Sequence, residues 1–200
     1  MNTINNGIGL FGCLLLITAL PLMLIRRPRF SRRMVFFVIA MMIFVAVIPV
    51  NGLIVIAYLR GVVSDLSITS MILLACFIAT AYSGRPYIQD RDMGQLGALV
   101  ILSALIVYPF GLGLGPWDSY ALGYGNLWLY SALLIIVLYC YIRLHLLLMT
   151  ILLAGCIAYL LSLLASQNLW DYLIDPLLVF YTAGWLLFQT IKKKRKQEAV

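Results

Sequence analysis

Two stretches of this chain set a tryptophan beside an aspartate with tyrosine close behind. One is Trp117-Asp118-Ser119-Tyr120, followed by Tyr124; the other is Trp170-Asp171-Tyr172, followed by Asp175. Aromatic faces stack on sugars or cations, and carboxylates accept hydrogen bonds or balance a positive charge. A shallow pocket built from these residues would take a sugar, an amine-bearing headgroup or a partner protein. Trp and Tyr also gather at headgroup level in any membrane protein, so an aromatic belt accounts for them without a ligand. Three aspartates suit Ca²⁺ or Mg²⁺ by ligand type. Pro176, however, takes Asp175 out of helical register with Asp171, and no metal site is assigned.

Other chemistry-bearing residues are sparse. His145 is the one histidine, and as a general base it would need a substrate and an orienting partner. The expected topology sets it a bilayer thickness from Asp118, Asp171 and Asp175, which leaves no Ser-His-Asp or Cys-His-Asp grouping. Cys13, Cys76, Cys140 and Cys156 lie inside apolar runs with no C-x-x-C spacing, as buried structural thiols do. Gly111, Gly113 and Gly115 lack the strand and helix start of a nucleotide fingerprint. No catalytic residue and no cofactor are assigned, and the chain reads as a binding protein before an enzyme.

These residues must be positioned by elements of an unusual composition. The chain is 64% hydrophobic and 10% charged, with a mean hydropathy of +1.04. Soluble proteins carry about 25% charged residues, so lipid is the expected solvent. Apolar runs cover 7–25, 34–59, 66–82, 94–110 and 127–164, and a last run covers 176–191. A helix over 127–164 would be about 57 Å long against a hydrocarbon core of about 30 Å. Arg143 and His145 break it into 127–142 and 144–164. Helices are required, because open strands leave backbone groups unpaired in hydrocarbon.

The fold class is then an all-α polytopic membrane protein with seven transmembrane helices. Residues 1–191 form a single helical domain and 192–200 a basic tail. Splitting the long run sets Arg26, Arg27, Arg29, Arg32 and Arg33 on the same side as Lys192, Lys193, Lys194, Arg195 and Lys196. The positive-inside rule makes that side cytoplasmic and the N-terminus external. Thirteen of the fourteen basic residues are cytoplasmic, with Arg60 the exception. The runs 66–82 and 94–110 are near the lower length limit, and a re-entrant hairpin made of both would preserve the same parity. Met1 to Asn6 has no basic n-region, so the first run is expected to stay as a span.

Within this frame Asp175-Pro176 reads as the N-cap and first residue of the last helix. Pro49, with Asn51 and Gly52 beside it, is expected to kink the second helix. The two arginine- and lysine-rich clusters are the expected contacts with anionic lipid. With no soluble domain, the net charge of +7 points to the bilayer and not to nucleic acid. Short loops without an Asn-x-Ser/Thr acceptor suit a bacterial inner membrane. The expected function is a non-catalytic accessory or partner-binding subunit of a cell-envelope process, its partners the bilayer and another membrane protein. A small transporter or lipid-handling carrier is the alternative. A third possibility is an enzyme on a lipid-linked substrate using Asp118 with Asp171 or Asp175.

Overall fold

A computed structural model of the chain describes residues 3–24 and 31–198. Among the described residues the fold is helical, 77% helix in nine helices, with one two-stranded turn. Helix α1 spans Thr3–Leu24 and α2 spans Arg32–Ala46, begun by Ser31, whose Oγ accepts from the Met34 N–H at 3.2 Å. After a short β-hairpin, α3 spans Val55–Val63, α4 Ile68–Ser83 and α5 Asp90–Gly111. A 3₁₀ turn at Tyr120–Gly123 precedes α6, Leu127–Ile142. Then follow α7, Leu146–Leu160, the short α8, Leu169–Leu173, and α9, Pro176–Glu198.

The run 34–59 is not one kinked helix. Helix α2 stops at Ala46, and strands β1, Pro49–Val50, and β2, Leu53–Ile54, pair antiparallel across Asn51-Gly52. Both turn residues have positive φ, +46° and +86°. Two-residue loops of this hand fit the twist of paired strands, and Asn-Gly is the pair that adopts them most readily. Pro49 therefore opens a reversal of the chain and does not bend a continuous helix. The Tyr58 hydroxyl closes the turn by donating to the Val50 carbonyl at 2.8 Å.

The break in 127–164 falls at 143–145, between α6 and α7. Its geometry is a Schellman motif. His145 N–H reaches the Cys140 carbonyl at 2.8 Å and Leu144 N–H the Tyr141 carbonyl at 3.1 Å, with Leu144 at φ +57°. Helix α5 starts four residues ahead of its expected apolar run, at Asp90. Asp90 and Asp92 in its first turn complement the positive end of the helix dipole. Helix α9 likewise carries the basic residues 192–196 in its final turns.

Among the described residues, two helices, α1 and α5, are long and apolar enough to cross a membrane. Each has 22 residues, with mean hydropathies of 2.3 and 1.8. Helices α4, α6 and α7 are apolar but shorter, at 15 to 16 residues. Helix α1 packs on α2, α3 and α4; α5 packs on α9; and α7 packs on α4, α6 and α8. Leu66, Leu96, Val107, Ile151 and Leu164 form the buried centre. The outside also carries many large apolar side chains. Phe36, Phe44, Trp128, Phe180 and Phe188 are each more than 60% exposed. Buried polar side chains, by contrast, include Thr18, Thr69, Ser119, Asn168 and Thr182.

Hydrogen bonds between distant segments define one end of the molecule. Asn5 Nδ2 donates to the Leu164 carbonyl at 3.1 Å, and the starts of α4 and α9 meet there through Ser67 and Asp175. At the opposite end the starts of α5 and α7 approach, with Gln95 Nε2 3.4 Å from His145 Nε2.

Candidate functional site

The two Trp-Asp stretches converge at the first end. Asp171, half-buried in α8, accepts from the Tyr120 hydroxyl at 2.9 Å and from Ser166 Oγ at 2.5 Å. Asn168 caps α8 by accepting from the Trp170 N–H at 2.9 Å, and its Nδ2 donates to the Tyr120 carbonyl at 2.9 Å. Trp170 is buried, and its Nε1 donates to the Ser119 carbonyl at 3.1 Å. Asp118 holds the other side of the loop, accepting from the N–H groups of Tyr120 and Ala121 at 2.9 and 3.2 Å. Gly123 lets the loops close, because a Cβ there would sit 2.6 Å from Asn168 Cγ and 2.9 Å from Trp170 Cδ1. Burial, then the hydrogen bond to Asp171, raises the Tyr120 pKa above the ordinary tyrosine value.

Tyr172 and Asp175 belong to neighbouring networks. Tyr172 is fully buried, accepts from the Leu164 N–H at 3.1 Å and donates to the Ser166 carbonyl at 3.0 Å. Burial raises its pKa, against the hydrogen bond from Leu164. Asp175 is buried at the meeting of two helix starts. Its Oδ1 accepts from the Leu178 N–H at 2.8 Å, the N-cap bond of α9. Its Oδ2 accepts from Ser67 N–H at 3.0 Å, Ser67 Oγ at 2.6 Å and Ser70 Oγ at 2.5 Å. Ser67 caps α4 through the Ser70 N–H. One carboxylate thus serves the positive ends of two helices.

Three residues of the expected pocket are exposed, Asp118 and two aromatics. Trp117 is 52% exposed and packs on Phe110 with centroids 5.4 Å apart; Tyr124 is 59% exposed and meets Tyr120 edge-on at 5.9 Å. Asp118 and the five others are held by hydrogen bonds to one another, to backbone groups or to serine hydroxyls. The convergence therefore makes a cross-linked cap, with Asp118 at its exposed edge, bonded through Oδ1. Asp171 and Asp175 lie in separate networks. Among the described residues, no three His, Cys, Asp or Glu side chains are grouped to hold a metal.

Arg60 gains a partner that sequence reasoning missed. Its Nε and Nη2 meet the Asp65 carboxylate at 2.6 and 3.1 Å, and Nη1 donates to Asn6 Oδ1 at 2.9 Å. Both side chains are 15% exposed. The pair lies against Gly9 of α1, where any Cβ would collide with Asp65 Oδ1 and the Arg60 guanidinium. A planar, bidentate guanidinium–carboxylate pair is the form in which such charges tolerate burial. Its sequence signal was the five-residue spacing of opposite charges around Ser64.

Of the expected lipid contacts, Arg32 and Arg33 are exposed in the first turn of α2, and Lys192, Lys193, Lys194 and Arg195 are exposed in α9. Lys196 continues the same helix. Arg26, Arg27 and Arg29 lie outside the described residues. Pro49, Asn51 and Gly52 lie in the hairpin described above, and the kink expected of them is replaced by that reversal.

A cleft of about 290 Å³, unforeseen from sequence, runs between α1, α4, α9 and the start of α5. Leu20, Leu73, Leu74, Leu177 and Tyr181 form its walls, Ser70 lies toward one end, and Thr80 and Asp90 lie toward the other. Its lining is scattered over four helices, which hides it from any reading of spacing. No protein-family model, no curated protein and no solved structure matches the chain.

Proposed function

We propose that the chain is a multi-pass protein of the bacterial inner membrane that acts as a non-catalytic accessory or partner-binding subunit in the cell envelope. It crosses seven times, through α1, α2 with its hairpin, α4, α5, α6, α7 and α9, with the N-terminus outside. The observation that carries the non-catalytic part is the state of the outer aspartates. All three are engaged by hydroxyl or backbone donors that fasten loops and helix starts. A carboxylate that must act as base or nucleophile needs a reacting group within reach. These three have structural partners there instead.

The membrane part is supported by the apolar exterior and by the alternation of helix starts between the two ends. It is supported too by the basic residues in the last turns of α9, at the end opposite Asp175. Helices of 15 to 16 residues extend about 24 Å, short of a 30 Å core. Local thinning of the bilayer accommodates such a mismatch at modest cost. Exposed Trp117 and Tyr124 then form the outer rim offered to a partner.

Reporter fusions at Gly125 and after Val200 are expected to report opposite compartments; a shared compartment overturns the seven-crossing topology. Reconstituted alone in liposomes, the protein is expected neither to turn over a lipid-linked substrate nor to move solute. Turnover that is lost on Asp118→Asn or Asp171→Asn would replace this proposal with the enzyme. The apolar cleft favours one second reading, a lipid-handling carrier.

A further inference from the structure

The apolar cleft and a polar depression lie on two sides of one helix turn. Ile88, Asp90 and Met93 face the cleft, while Gln89, Arg91 and Asp92 face a depression of about 450 Å³. The far wall of the depression is the turn between α6 and α7, with Arg143 and His145. Arg91 and Arg143 are exposed. The ion pair among the described residues is Arg60–Asp65, so neither of these guanidiniums is matched to a carboxylate. Hydrocarbon-lined space thus adjoins a cationic hollow at the start of α5.

We infer that this junction binds one phosphate-bearing membrane lipid, with a hydrocarbon chain in the cleft and the phosphate in the depression at Arg91 and Arg143. Between Ser70 and Thr80, about 15 Å along α4 at 1.5 Å per residue, the walls are mostly leucine and aromatic side chains, with Cys76 and Tyr181 among them. That length and the leucine-rich lining suit an extended alkyl chain. Guanidinium forks match phosphate oxygens in geometry as well as charge. Leu146, at the start of α7, lines the same hollow, and α7 has no side-chain cap on its first N–H groups. Those donors add to the field that favours an anion. Asp92, the acid in the hollow, stands at the first turn of α5 and is available to the amine of a zwitterionic headgroup.

The inference rests on the helices lying in a membrane and not on the accessory role. It deepens the lipid-handling reading without requiring transport. The test uses the full-length protein in detergent, with retained lipid counted by native mass spectrometry. The probes are phosphatidylglycerol, diacylglycerol with the same chains, and inorganic phosphate. One phosphatidylglycerol is expected to stay bound, while diacylglycerol is retained less. Arg91→Gln with Arg143→Gln is expected to weaken retention about tenfold, as loss of charge-assisted contacts would. Leu20→Trp, which fills the cleft from a 49% exposed position, is expected to displace the lipid. Leu177→Trp from the facing helix repeats the test if the first variant does not fold.

Retention unchanged in both the arginine and the tryptophan variants overturns the site. Equal retention of diacylglycerol overturns the phosphate half. Displacement by millimolar inorganic phosphate, with no effect of Leu20→Trp, makes it a site for a soluble phosphate and overturns the lipid. An equal loss in Lys192→Gln with Lys193→Gln reduces it to bulk charge and also overturns it. Lipid retention is read in detergent, so its result stands apart from the fusion and turnover assays that test the proposed function.

Discussion

The two ends of the helical bundle are joined in different ways. At the Asp175 end, side chains bridge segments 48 to 159 residues apart in sequence. Loops and helix starts there are tied through Asn168, Asp171 and Asp175, with most of the bonding atoms buried or half-buried. At the Arg143 end the ties are thinner. Gln95 approaches His145 at 3.4 Å, and the Tyr87 N–H reaches Thr80 Oγ1 at 3.2 Å. The first end is fixed by polar groups in mutual contact. The second presents guanidiniums, a hollow and the polar end of a cleft. Aspartates that resemble a catalytic set in sequence therefore act as fasteners, while residues that resemble ordinary interfacial charge border the open space.

If that contrast is sound, substitutions at the two ends must separate stability from binding. The largest stability effect is expected at Asp175. Alanine there removes the N-cap of α9 and leaves the buried Ser67 and Ser70 hydroxyls without their acceptor. Loss of a cap together with buried unsatisfied donors is expected to destabilise the protein by about 3 kcal/mol. Asp175→Asn retains one acceptor oxygen and should lose less. Denaturant titration in mixed micelles measures both. A change under about 0.5 kcal/mol, the range of ordinary surface substitutions, would show that this end is not the fixed one.

The same contrast explains what was legible in the sequence. Helical class, the break near Arg143 and the Asp175-Pro176 cap follow from hydropathy, length and local capping rules, which act within a few residues. The hairpin at 49–54 was also local, since Asn51-Gly52 is a strong turn signal, but the surrounding apolar run outweighed it. Leu144 gave no comparable signal, because a leucine at positive φ stands where glycine is usual. The convergence of Trp117–Tyr120 with Ser166–Trp170 was visible only as similar residue types. Whether such residues stay free or bond one another depends on how α5, α7 and α8 pack. The Arg60–Asn6 contact and the cleft have the same origin. Both join positions separated by tens of residues, with no periodicity to mark them.

A smaller effect is expected where the two loops meet. Tyr120→Phe removes the hydroxyl that Asp171 accepts from, but Ser166 remains on the same carboxylate oxygen. A loss of about 1 kcal/mol at neutral pH follows from one net hydrogen bond. The raised pKa of Tyr120 adds a dependence on pH whose sign is fixed. In the unfolded chain tyrosine ionises near 10, below its folded value. Its stabilisation is therefore complete below about pH 10 and declines as pH rises toward the folded pKa. The gap between wild type and Tyr120→Phe should narrow over that interval. A gap that widens or stays constant would break the assigned contact.

The smallest effect is expected at the opposite end. The Gln95–His145 contact is at the far edge of hydrogen-bond length, and both side chains are half-exposed. Water can replace either partner, so Gln95→Ala leaves no buried group unsatisfied. Its cost should stay within about 0.5 kcal/mol in the assay applied to Asp175. The contact joins the start of α7 to α5 at His145, which lines the hollow together with Arg91 and Arg143. Lipid retention should therefore change more than stability does. If Gln95→Ala instead unfolded the protein as readily as Asp175→Ala, both ends would be equally fastened. The distinction between a fixed end and an open one would then fail.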